Sequence, residues 1–194
     1  MYPLERLGQI KLPEGYEASL DNLKVIGDTG IRTDFLPDNH PFSHYDEIFH
    51  GLLSAYLQKH PYSKFLDVGG GFESVAVQGL MAEFPDVTAV NVDLFAENTE
   101  YSRQGNADSL PIDDSSIDLV VSVNCVSRFL MSFHFQGRTM VEEIVRVLKP
   151  GGLSFVSPGF DLTPLSSGLE AVTQLYGQNP YSGVYRKVGT PLTS

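Results

Sequence analysis

The sequence predicts an α/β fold: a doubly wound, mostly parallel sheet flanked by helices. Short apolar runs of strand length alternate with helical patterns from residue 62 onward. The first run, "KFLDV", leads into three consecutive glycines and then a helical pattern. Residues suited to ligand contact fall just after the strands, where open parallel sheets bind their ligands.

Residues 1–41 carry Pro3, Pro13, Pro37 and Pro41 and read as an irregular, extended arm. Tyr45, Ile48, Phe49, Leu52, Leu53, Tyr56 and Leu57 are spaced for one helix from about Ser43 to just before Pro61. Residues 1–61 are therefore expected to form an N-terminal arm and cap helix on an α/β unit spanning 62–194. In that unit "ESVAVQGLMAEF" is a helix, with Val77, Leu80, Met81 and Phe84 on one face. "VTAVNVD" is the second strand, "EYSRQGNA" holds a short third, and "SIDLVVSVN" is an apolar, β-branched fourth. "GRTMVEEIVRVL" is a helix that stops at Lys149, Pro150 and Gly151, before a fifth strand, "GLSFVSP". Beyond Pro158, "SGLEAVTQLYG" reads as a helix and "SGVYRKVG" as a strand, so a shortened C-terminal hairpin is expected.

Apolar residues make up 42% and charged residues 19% of the 194, a globular composition. The formal net charge of −11 disfavours a nucleic-acid partner, because phosphate backbones are repelled. Cys125 is the only cysteine, so neither an intrachain disulfide nor a cysteine-rich zinc site can form. His40, His44, His50 and His60 lack a completing carboxylate pair, and no metal site is expected. "MYPLERLGQI" has no apolar signal core, and no run is long enough to span a bilayer. The expectation is a soluble, cytoplasmic protein that does not engage a membrane.

Gly69, Gly70 and Gly71 follow Asp67 at the end of the first strand. Glycines permit a sharp turn at positive φ and bring backbone close to a ligand, and a helix start presents free N–H groups. The plain alternative is a tight strand-to-helix turn. Asp93 ends the second strand, where a carboxylate can accept both hydroxyls of a ribose diol and would repel a 2′-phosphate. Asn106 and the backbone of Ala107 can read an adenine edge by one acceptor and one donor; the alternative for Asn106 is an Asx turn. Together these elements suit an adenosine with a free ribose diol and a zwitterionic tail. There is no P-loop lysine, so ATP and GTP fit poorly.

These residues resemble the class I S-adenosylmethionine-dependent methyltransferases, in particular the small type containing "LKPGG". "FLDVGGGFES", "VNVDL", "GNADSLPIDDSSIDLVVS" and "VEEIVRVLKPGGLSFVS" are similar to that family's motifs, in order, over about residues 62 to 158. The resemblance implies a seven-stranded sheet whose last strand is antiparallel, with S-adenosylmethionine as cofactor. It implies that Asp67 and the turn of Gly69, Gly70 and Gly71 hold the methionine part and that Asp93 holds the ribose. Leu94 would pack on the adenine, Asn106 and Ala107 would read its edge, and Asn124 would line the methyl-transfer pocket. Glu73 stands where the family has its last motif glycine, Asn106 replaces an Asp, and Ser127 and Arg128 replace a frequent Glu-His pair.

The reading is a methyltransferase acting on a small molecule, with His134 and Asp161 as candidate general bases. His134 falls in a loop, where packing between Phe133 and Phe135 is the plainer role. From another class comes a methyltransferase-like domain that has lost catalysis and serves as a binding or assembly module.

Overall fold

A computed structural model describes residues 16–19, 24–27, 30–34, 40–71, 73–126, 134–157, 161–175 and 182–189. The strands are β1 (Tyr16–Ser19), β2 (Lys24–Gly27), β3 (Gly30–Asp34), β4 (Lys64–Val68), β5 (Thr88–Asp93), β6 (Ser102–Gln104), β7 (Ile117–Val123), β8 (Leu148–Ser157), β9 (Leu169–Leu175) and β10 (Ser182–Lys187). The helices are α1 (Phe42–Ile48), α2 (Leu52–Lys59), α3 (Val75–Glu83) and α4 (His134–Val147).

Seven strands form one sheet in the order β6-β5-β4-β7-β8-β10-β9. β4 runs parallel to both neighbours, and so do β5 with β6 and β7 with β8. β10 is antiparallel to β8 and β9. The chain steps outward from β4 to β5 and β6, then returns to place β7 on the other side. The carboxyl end of β4 is therefore the switch point of strand order, where a crevice opens.

Alternation along β4 sends Phe65 into one apolar cluster, with Tyr45, Phe49, Val77 and Leu80, and sends Leu66 and Val68 into the other, with Met140, Val141, Ile144 and Val147. The sheet is thus covered on both faces, as parallel sheets require. Asp67 shares the Phe65 face by the same period of two.

Several expectations are corrected. The C-terminal hairpin is complete: "SGLEAVTQLYG" contributes β9, which pairs with β10 from Leu169↔Lys187 to Leu175↔Ser182. Pairing with β10 prevails over the helical spacing of this segment. Residues 16–34 of the supposed irregular arm hold an antiparallel three-stranded meander, β1-β2-β3. The single cap helix is two, because His50 (φ 54°) and Gly51 (φ 77°) turn left-handed between α1 and α2. Asp46 bridges that break, accepting from the Ser54 N–H at 3.0 Å and its hydroxyl at 2.7 Å. It supplies the cap that Gly51 cannot. His134 is the first residue of α4, not part of a loop. No helix among the described residues is long and apolar enough to cross a membrane.

Arg146, near the end of α4, fixes the loop before β7. It donates to Glu143 at 2.7 Å, to the carbonyls of Leu110 at 2.9 Å and Ile112 at 2.8 Å, and to Asp114 at 2.5 Å. Glu143 in turn accepts the Leu110 N–H at 2.7 Å. The network is partly exposed, so its ion pairs are screened, but two loop carbonyls depend on it. Arg146→Ala should lower stability by about 1–3 kcal/mol in chemical denaturation, without altering the far-ultraviolet circular dichroism.

Candidate functional site

The turn after β4 is held by backbone and by two side chains of β5. Gly69 (φ 78°) donates its N–H to the Val92 carbonyl at 2.8 Å. A Cβ on Gly69 would lie 2.4 Å from the Cys125 Cβ, so no other residue fits. Asn91, fully buried, points into the turn: its amide oxygen accepts the Gly70 N–H at 3.1 Å, and its NH₂ donates to the Gly71 carbonyl at 2.5 Å and the Ser74 hydroxyl at 3.0 Å. Two residues on, Asp93 accepts the Gly71 N–H at 3.1 Å and the Phe95 N–H at 2.8 Å. The period of two thus delivers an amide and then a carboxylate from one strand to successive peptide groups of the glycine turn.

α3 starts at Val75, after Ser74 in left-handed conformation (φ 53°), so Glu73 stands before the helix and not in its first turn. Glu73 is half-buried, and its carbonyl accepts from the Gln78 side chain at 2.7 Å. Together with Ser74, Gln78 and residues 99–102 it lines an open cleft of about 360 Å³ between α3 and the segment before β6.

The remaining expected residues lie at the same end of the sheet. Leu94 follows β5 directly, and its carbonyl accepts from the Gln104 side chain at 3.2 Å. Asn106 forms the Asx turn, its side-chain oxygen taking the Asp108 N–H at 3.4 Å. Ala107 packs against the core. Asn124, just past β7, has φ 59° and donates its N–H to the Ser157 carbonyl at 2.7 Å. The structure therefore gathers Gly69, Gly70, Gly71, Asp93, Leu94, Asn106, Ala107 and Asn124 around the ends of β4, β5, β6 and β7. Asp161 is exposed, and its carboxylate accepts the N–H of Thr163 at 3.0 Å and its hydroxyl at 2.6 Å, serving its own turn. The side chains of His134, Ser127 and Arg128 lie outside the described residues.

Asp67 is the electrostatic anomaly of the site. It is 0% exposed, and neither carboxylate oxygen has a hydrogen-bond partner. The carboxylate lies under Gly70, where a Cβ would fall 2.1 Å from Oδ2. Burial pushes its pKa up to about 8; the nearby Tyr45 hydroxyl offsets part of this, and Asp93 adds to it. Tyr45, itself buried, favours the ionised carboxylate from outside hydrogen-bond geometry. Burial raises Asp93 as well, against the N–H groups of Phe95 and Gly71.

Sequence reading passed over Asn91 as a site residue and placed Tyr45 only among the aromatics that either cover the cofactor cleft or form plain core. Asn91 had a visible signal: a polar side chain in an otherwise apolar strand, two residues before the strand-end acid. Tyr45 had none, since its spacing is that of core.

Asn91→Ala removes three hydrogen bonds from the turn and should cost about 2–4 kcal/mol in denaturant titrations. Asp67 binds more protons folded than unfolded, because its folded pKa is raised. Its contribution to stability is therefore full below the unfolded value and is lost as pH rises towards about 8. Asp67→Asn lacks this loss, so the melting-temperature difference, variant minus wild type, should grow from about pH 4 to about pH 8.

A family model described as a methyltransferase domain matches residues 66–156, from β4 into β8. A solved structure from Pyrococcus horikoshii OT3 superposes with TM-score 0.55 at 17% identity, over 79% of this chain and 96% of that one. The N-methyltransferase NodS from Bradyrhizobium japonicum WM9 superposes with TM-score 0.53 at 19% identity, over 79% of this chain and 100% of that one. At these identities the likeness is one of fold. A stretch of 51 residues is 43% identical to an Anamorsin homolog from Ricinus communis, and the match spans 26% of this chain and only 16% of that relative. The matched residues carry the glycine turn, its Asn91 and Asp93 supports and the sheet's switch point, and over that span the chain is similar to a methyltransferase domain.

Proposed function

We propose that this chain binds S-adenosylmethionine across the ends of β4 and β5 and transfers its methyl group to a small-molecule acceptor. One observation carries the reading: Asp93 stands at the strand end with each oxygen engaged by only one backbone N–H. A carboxylate has about four lone-pair sites, so capacity remains for both hydroxyls of a ribose. The buried, unpartnered Asp67 beneath the turn is a latent negative charge, which suits a ligand bearing an ammonium and a sulfonium.

The chain's own residues would divide the work by position. Asp93 orients the ribose, the Gly69 to Gly71 backbone approaches the methionine part, and Leu94, Asn106 and Ala107 flank the adenine. Asn124 borders the reacting end, beyond β7. The bound cofactor supplies a methyl group on positively charged sulfur, already activated for in-line displacement. What the protein then adds is orientation and exclusion of water. Asp161 is committed to Thr163. His134 is the remaining candidate base, and an acceptor atom that is nucleophilic without deprotonation would need neither.

A catalytically silent binding module is the second reading. It is favoured by the self-satisfaction of the site, where Asp93 and the Asn106 oxygen already accept from the chain's own N–H groups.

Calorimetric titration with S-adenosylhomocysteine separates the two. Micromolar binding supports the enzyme, and no binding up to millimolar ligand supports the module. Asp93→Ala should abolish binding while unfolding stays cooperative; unchanged affinity would remove Asp93 from the ribose. Glu73→Gly should keep or strengthen binding, since Glu73 lines the neighbouring cleft; a large loss would make it a ligand contact.

A further inference from the structure

We infer that Asp67 is a positioning residue through which cofactor binding expels a proton, with Tyr45 as the hydroxyl that then serves the ionised carboxylate. This rests on the S-adenosylmethionine reading above.

A fully buried carboxyl group without a partner is rare, because an ionised one loses its hydration with nothing in return. Among the described residues nothing neutralises it. Asp93 from β5 adds a second acid, Tyr45 from α1 adds a phenol, and Cys125 beyond β7 adds a thiol whose charge would act on Tyr45. Asn91 spends its NH₂ on Gly71 and Ser74, so it cannot serve Asp67. No lysine, arginine or histidine among the described residues pairs with Asp67 or Asp93. The neutral acid is thus the resting form near neutral pH.

S-adenosylmethionine brings an ammonium, a sulfonium and one carboxylate, a net positive charge, to the far side of the Gly70 peptide. That charge favours the ionised form of Asp67 through a medium of low dielectric. The Asp67 O–H bond breaks, its proton leaves to solvent, and the carboxylate gains the Tyr45 hydroxyl as donor. Because Tyr45 lies on α1, outside the matched residues 66–156, the N-terminal helix takes part in holding the site in its bound state.

The test is calorimetric titration of the whole protein with S-adenosylmethionine at several pH values and in two buffers of different ionisation enthalpy. Wild type should release close to one proton at about pH 7, and its affinity should rise up to about tenfold per pH unit, levelling near pH 8. Asp67→Asn should bind with no such slope, and it is also the reference for titration of the ligand's own amino group. Tyr45→Phe should move the plateau to higher pH, and an unmoved plateau would remove Tyr45 from the scheme. Binding that is equally pH-independent in wild type and Asp67→Asn overturns the proton coupling alone. Absence of binding at every pH overturns the cofactor reading and the coupling with it.

Discussion

One buried amide holds the glycine turn at the carboxyl end of β4 in shape. Asn91 satisfies Gly70, Gly71 and Ser74 at once, within a turn where Gly69, Gly71 and Ser74 are left-handed. The left-handed angles at Gly69, Gly71 and Ser74 would otherwise leave peptide groups pointing into a protein interior. Because the amide hangs from β5, the strand next to β4 in the sheet, the turn inherits the rigidity of the ladder. The Asp93 carboxylate, delivered by the same strand, is then positioned relative to the turn by a bond to it and not by loop packing.

The fold was legible where hydrophobic period and punctuation agreed. Strands β4, β5, β7 and β8 and helices α3 and α4 follow from apolar patterns punctuated by turn residues, and the ordered motifs made the family resemblance visible. The errors arise where local pattern and tertiary pairing disagree. The β9 segment has apolar residues at helical spacing, yet its pairing with β10 decides its state. The break at His50 and Gly51 was invisible because the apolar positions continue in helical register across it, and Asp46 caps the second helix from eight residues away. The strand-end acid and the glycines were readable because their chemistry is written at fixed offsets. Asn91 and Tyr45 were not, because their importance comes from what another part of the chain places beside them.

The buried acid and phenol of the α1 face, Asp67 and Tyr45, lie beneath the glycine turn. Elsewhere that face is built from Phe42, Phe49, Phe65, Leu53 and Phe155, with edge-to-face ring contacts between Phe49 and Phe155 and between Phe42 and Phe84. An acid and a phenol set into such surroundings feel each other strongly, since little solvent intervenes. The N-terminal helices therefore do more than cap the sheet. They provide the low-dielectric wall that raises the pKa of Asp67.

The brevity of β6 has a consequence for life in a crowded solution. A sheet border is a template for foreign strands wherever its peptide groups run unpaired in a row. At the β6 border that row is three residues long, and Arg103 turns its guanidinium back onto the Thr99 and Ser102 carbonyls. The open flank of the molecule thus offers too short a rail for another chain to extend the sheet, even though the connection leading into it lacks a covering helix.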